Sequence, residues 1–287
     1  MSRAATFIGF GEAGQAFAWA GARAFDRKTH EVASRAGMLA AYAAAGVAGT
    51  EDVAAALDQA DAILSLVTAD QALAVAHSCA ALVEPGAFWL DMNSVAPGTK
   101  RFAAAAIEAV GGRYVDVAVM APVLPARRAV PLIVSGPHAS GAAVLLEEFG
   151  FSNVTVGGAE FGDASAIKMI RSIMVKGIEA LSAECLLAAE RAGVRDAVLS
   201  SLDASWKEQG WGERTDYNLD RMFSHGLRRA AEMEEAAQTL EDLGIDPAMT
   251  RGTIARQHEL GALGIAPPAG LAAKLAAVVS CHKEEAA

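Results

Sequence analysis

Ala5-Thr6-Phe7-Ile8-Gly9-Phe10-Gly11-Glu12-Ala13-Gly14 decides how this chain folds. A short apolar run, read as a first strand, feeds straight into Gly9-x-Gly11-x-x-Gly14, and the Ala- and Phe-rich residues beyond suit a helix. Each glycine has its own reason. Gly9 permits a tight turn, Gly11 lets a pyrophosphate approach the backbone, and Gly14 lets the helix pack close to the strand. The helix N-terminus then offers unpaired N–H groups and partial positive charge to phosphates. A glycine triplet can arise by chance among 27 glycines, but its place after a strand and before a helix points to a dinucleotide.

The 287 residues suggest about two domains. A hydrophobic share of 53% with 20% charged residues supplies a large core and excludes a disordered chain. The net charge of −10 argues against nucleic acid, which wants a basic stripe. A small anionic substrate needs only a local Arg or Lys cluster. Cys79, Cys185 and Cys281 show no metal-type spacing, and their odd number fits a reducing compartment, with the cytoplasm as the expectation. Charges interrupt the apolar runs before spanning length and no basic leader precedes the first strand, so no membrane partner is expected.

Working outward, Gly21 cuts the first helix short and Arg23-Ala24-Phe25-Asp26 reads as a second strand. Asp26 ends it as a candidate acceptor for ribose hydroxyls, although nearer the glycines than the usual ~20 residues. Arg27 and Lys28 follow and suit a 2′-phosphate, which leaves NAD and NADP both open; a solvated turn is the plain alternative. A helix over 35–45, a Gly46-Val47-Ala48-Gly49 turn and an N-cap at Thr50-Glu51-Asp52 lead to a helix ending near Ala60. Residues 62–68 form an unbroken apolar run of the kind buried on both faces of a parallel sheet. Its carboxyl end places Thr68, Ala69 and Asp70 where a cofactor passes. A helix over 71–82, a strand over 87–91, a Met92-Asn93-Ser94 loop, a helix over 97–110 and strands over 114–119, 132–135 and 154–156 continue the alternation. This predicts a doubly wound α/β domain over 1–160. Over 161–287, periodic Ala, Leu, Ile and Met with few strand signals predict an all-α domain, whose apolar helix faces suit a symmetric dimer. It opens with a long helix from Asp163, apolar nearly all round and therefore expected to be buried between two halves of a molecule.

Within that helix Lys168 and Ser172 share a face, with Arg171 beside them. A lysine in apolar surroundings has its ammonium disfavoured, which moves its pKa toward the range useful for proton transfer. Metal-free oxidation of an alcohol needs such a group. A lysine that snorkels to water is the bland alternative.

Gly9-Phe10-Gly11-Glu12-Ala13-Gly14, the loop Asp91-Met92-Asn93-Ser94-Val95-Ala96-Pro97-Gly98-Thr99, Ala121-Pro122-Val123 after a strand, and residues 162–168 together resemble the β-hydroxyacid dehydrogenases. That family includes 3-hydroxyisobutyrate and 6-phosphogluconate dehydrogenases. The resemblance implies a Rossmann-type domain, a linking helix and a helical domain that forms a homodimer. It implies NAD or NADP held by the glycine loop, Asn93 and Ser94 beside nicotinamide and substrate, and Lys168 as catalytic acid/base. Pro122, Val123 and Ser172 fall at substrate positions. Two departures bear on the substrate: Leu124-Pro125-Ala126 stands where the family has Ser-Gly-Gly, and Ser172 where it has Asn. The segment from His225 to Met233 resembles a less characterised branch.

His225 and Arg229 share a helix face, with Arg228 adjacent, and an Arg fork suits a carboxylate or phosphate. Pairing with Glu232, Glu234 and Glu235 is the alternative. Arg127 and Arg128 form a second candidate anion clamp or simple surface charge, and Trp206 and Trp211 suit helix packing. The resulting expectation is an NAD(P)-dependent oxidoreductase for a small hydroxy acid or its semialdehyde. An imine reductase and a non-catalytic sensor of the cofactor are the alternatives.

Overall fold

A computed structural model of the protein describes residues 3–191, 193–205, 210–242 and 246–284. Trp206 lies outside the described residues, as do the side chains of Cys185, Trp211 and Cys281. The chain divides into two compact units, Met1–Met169 and Ile170–Ala287. The division falls inside the long helix rather than at its start.

Unit one holds a single sheet. Its strands are β1 (Ala5–Ile8), β2 (Arg23–Phe25), β3 (Ala48–Thr50), β4 (Ala62–Ser65), β5 (Phe88–Asp91), β6 (Arg113–Val119), β7 (Leu132–Ser135) and β8 (Val154–Gly158). They lie in the order β3-β2-β1-β4-β5-β6-β7-β8; β6 and β7 run antiparallel and the other neighbours parallel. Strand order reverses between β1 and β4, and the crevice beyond their carboxyl ends is where doubly wound sheets bind ligands. The connecting helices are α1 (Glu12–Phe17), α2 (Val32–Ala45), α3 (Val53–Leu57), α4 (Ala69–Ala80), α5 (Pro97–Glu108) and α6 (Ala139–Glu148), and α7 (Asp163–Arg191) leads out of the unit.

Successive strand residues point to opposite faces, and both faces are apolar. Phe7, Leu64, Leu90 and Val115 are register partners in a row across β1, β4, β5 and β6 and join one core. Ile63, Trp89 and Tyr114 form the adjoining row and join the other.

Three local expectations are corrected. Residues 46–49 are not all turn, because 48–50 form the edge strand β3; Gly49 sits under the Tyr42 ring, where a Cβ would come within 2.0 Å of it. Helix α6 was not expected, since its small residues mask a periodicity that Leu145 and Leu146 carry into the core. The long helix is not buried all round: Met174 is 66% exposed, and Ile170 and Leu181 are exposed as well.

Unit two contains the rest of α7 with α8 (Arg195–Ser205), α9 (Trp211–Asp242), α10 (Ala248–Ala262) and α11 (Leu271–Glu284). Its core gathers Leu186, Leu219, Met222, Phe223, Leu260, Leu275 and Val278. Helices α9 and α10 touch backbone to backbone, for a Cβ on Gly226 would lie 2.3 Å from the Gln257 carbonyl oxygen. No helix among the described residues is long and apolar enough to cross a membrane.

Leu90 is fully buried, so Leu90→Ala is expected to cost about 2–5 kcal/mol in urea unfolding. Tyr42 offers a test by pH. Its hydroxyl is buried without a partner among the described residues, and burial, then the charge of Asp26, pushes its pKa up to about 12. The unfolded phenol ionises near 10, so the contribution of the neutral phenol is complete below about 10 and lost as pH climbs through about 12. Tyr42→Phe should make the loss of stability between about pH 10 and 12 shallower, read from urea midpoints.

Candidate active site

The glycine loop leaves β1 by a route that only glycine can take. Gly9 has φ +90°, and a Cβ there would lie 2.4 Å from the Leu66 carbonyl oxygen at the end of β4. A Cβ on Gly14 would come 2.7 Å from the Gly9 oxygen, so α1 presses on the turn it follows. Gly11 differs from both, because a Cβ there would meet nothing within 4 Å. No side chain caps the start of α1 at Gly11. Packed first and third glycines with an open second one fit the pyrophosphate of a dinucleotide. Phe10 turns inward onto Tyr42, with ring centroids 5.1 Å apart, while Glu12 is exposed and Ala13 half-buried.

Asp26 secures this loop from β2. Its Oδ2 accepts the Phe10 N–H at 2.7 Å and its Oδ1 the Lys28 N–H at 2.9 Å, which also caps the short 3-10 turn Arg27–His30. The carboxylate therefore serves the protein's own backbone. The Arg27 guanidinium reaches Gln71 Oε1 at 3.1 Å in the first turn of α4. Nearby, the Thr68 hydroxyl, then Gln71, with the charge of Arg27 adding to them, holds the Asp70 carboxyl below its usual range. Asp26 and Arg27 thus follow β2 while Thr68 and Ala69 open α4 after β4, at the carboxyl edge of the sheet.

The Lys168 ammonium donates to Ser94 Oγ, which joins the helix residue to the loop after β5. Asn93 also has a structural task. It is 4% exposed; its Oδ1 accepts the Val67 N–H at 2.7 Å, and its Nδ2 donates to Asp91 Oδ1 at 2.8 Å and Ser65 Oγ at 3.0 Å. The amide stitches the ends of β4 and β5 together, and so fixes where Ser94 stands. Sequence reasoning missed what lies beneath: Lys100, Asp91, Asp116 and Tyr114, all buried. Asp91 and Asp116 in otherwise apolar strands were the available signal.

Other candidates fare differently. Arg128 is a structural residue, donating to the Phe149 carbonyl at 2.6 Å and lying over the Trp19 ring. Arg127, at φ +50°, is exposed in the same loop as exposed Pro122 and half-buried Val123. In unit two the Arg229 guanidinium pairs with Glu179 and is buried; burial pulls its pKa down, and Glu179 opposes that shift. Arg228 pairs with Glu232, which also takes Lys176 at 2.5 Å. The fork beside His225 thus already holds carboxylates of its own unit. Ser172 is buried on α7.

Residues 4–157 match the model of the NAD-binding domain of 6-phosphogluconate dehydrogenase. The chain belongs to that family. Residues 189–260 match DUF1932, a domain of unknown function. Among solved structures, a conserved hypothetical protein from Sinorhizobium meliloti 1021 is 37% identical, with a TM-score of 0.74 over 98% of this chain and 97% of that one. A conserved protein of unknown function, described as structurally similar to 3-hydroxyacid dehydrogenases, is 30% identical, with a TM-score of 0.68 over 89% and 96%. The 3-hydroxyisobutyrate dehydrogenase of Mycobacterium tuberculosis, solved with L-serine, shares the fold at 18% identity, with a TM-score of 0.73 over 98% and 99%. Family and glycine geometry agree on a nicotinamide dinucleotide as cofactor.

The glycines give a paired test. Gly9→Ala should destabilise the protein by about 1–3 kcal/mol, because strain and backbone overlap both oppose it. Gly11→Ala should melt close to the parent and yet lose NADPH affinity, measured by fluorescence titration.

Proposed function

We propose that the protein is an NAD(P)-dependent oxidoreductase acting on a small hydroxy acid or its semialdehyde, with Lys168 as general acid/base. The observation that carries this reading is the hydrogen bond from Lys168 Nζ to Ser94 Oγ. The nicotinamide, when bound, accepts or supplies the hydride. The neutral amine of Lys168 takes the hydroxyl proton as the carbinol C–H bond breaks, and the ammonium so formed returns it to the carbonyl oxygen in reverse. Ser94 Oγ accepts from the lysine, so its own O–H is left to donate to a substrate oxygen. Gly11 and the start of α1 hold the pyrophosphate, and Asp26 and Arg27 meet the adenosine ribose and any 2′-phosphate.

The departure at Leu124-Pro125-Ala126, where Leu124 is 48% exposed, puts apolar side chains where the family has Ser-Gly-Gly and is compatible with one second reading, reduction of a C=N bond. Keto acids and cyclic imines tested side by side by NADPH absorbance distinguish the two. In either case Lys168→Ala should lower kcat by about 10²–10⁴ while NADPH affinity stays near that of the parent. Undiminished turnover in this variant removes the acid/base assignment.

A further inference from the structure

Behind Ser94 and Lys168 lies one buried cation between two buried carboxylates. Lys100, in the first turn of α5, has its ammonium 2.8 Å from Asp91 Oδ1 and 3.3 Å from Asp116 Oδ1, and all three side chains are at most 1% exposed. Two carboxylates taken from water side by side repel each other, and each needs a cation or several donors to stay ionised there. Here both kinds of partner are present, and the donors come from the two segments that carry the proton-transfer pair.

On one side Asp91 Oδ1 accepts the Asn93 N–H at 3.0 Å and its amide at 2.8 Å, while Oδ2 accepts the Tyr114 hydroxyl at 2.6 Å. Ser94 is the next residue. On the other side Asp116 Oδ2 accepts the Ser165 N–H at 2.8 Å and Oδ1 the Ser165 hydroxyl at 2.7 Å. Ser135 Oγ accepts the Ala164 N–H at 2.9 Å and stands 3.3 Å from Asp116 Oδ2, to which it donates. These N–H groups belong to the first turn of α7, which has no intrahelical acceptor for them, so strands β6 and β7 cap the helix and place a negative charge at its positive end. Lys168 is three residues beyond Ser165. The two segments also touch directly, since a Cβ on Gly162 would lie 2.9 Å from Pro97 Cβ.

We infer that Lys100, Asp91 and Asp116 are positioning residues: one buried ammonium ties the loop ending in Ser94 to the first turn of α7, and this tie sets the Lys168–Ser94 hydrogen bond. The inference rests on the acid/base role proposed for Lys168. None of the three residues reaches the reacting atoms; they act through Asn93 on one side and Ser165 on the other.

Two variants test it. Ser165→Ala deletes one hydroxyl and leaves every charge in place, and Asp116→Asn removes a charge at nearly constant shape. The direct reading is the rate at which acetic anhydride labels Lys168, measured by mass spectrometry against exposed Lys28, in protein shown to melt cooperatively. In both variants the Lys168 rate should differ several-fold from that of the parent while the Lys28 rate stays constant, NADPH affinity should be unchanged, and kcat should fall about tenfold or more at constant KM. Parent-like labelling of Lys168 in a folded Ser165→Ala protein overturns the inference; if Asp116→Asn does not fold, Ser165→Ala decides alone. Lys168→Ala measured in parallel keeps the two claims apart. Full turnover in that variant removes the acid/base role while the labelling still judges the tie, whereas lost turnover there with parent kcat in both network variants removes the tie alone.

Discussion

The backbone of β1 leaves the sheet so close to the end of β4 that a single added carbon at Gly9 would sit 2.4 Å from the Leu66 oxygen. That approach fixes the turn, and the turn fixes how α1 starts. Asp26 then locks the turn from β2 by accepting the Phe10 N–H. The same crossing marks the reversal of strand order, so the open space at Gly11 falls at the crevice where such sheets take their ligands. The shape of the glycine turn follows from a backbone constraint that one buried carboxylate secures.

Most of unit one was legible because its signals are local and repeated. Apolar runs at β1, β4 and β5, each followed by Gly, Pro or a capping residue, leave few other readings. Edge strand β3 escaped because three residues, two exposed and one half-buried, carry no periodicity, and its pairing with β2 is a property of the sheet. The candidate site was legible in part. Lys168 and Ser94, both singled out from sequence, are 74 residues apart and share a hydrogen bond. Asn93 carries a structural task that sequence did not reveal, since an amide in a loop looks the same whether or not it stitches two strands. The buried charges left only a faint mark, two aspartates in apolar strands, because their pairing with Lys100 is made by the fold.

The helical unit shows why arginine pairs in a sequence mislead. His225, Arg228 and Arg229 look like an anion fork, yet Glu179 comes from α7, fifty residues before Arg229, to occupy the buried guanidinium. Gln257 on α10 donates to the same carboxylate at 3.0 Å. A buried arginine without such partners would be costly, so acceptors must be sought across the whole unit before a ligand is assigned to it.

A crystal structure with NADPH bound tests the central claim most directly. The account predicts the pyrophosphate against Gly11 and the start of α1, with the nicotinamide ring facing Lys168 Nζ and Ser94 Oγ across room for one small substrate. A dinucleotide seated away from the glycine loop, or a nicotinamide turned from Lys168, would contradict it.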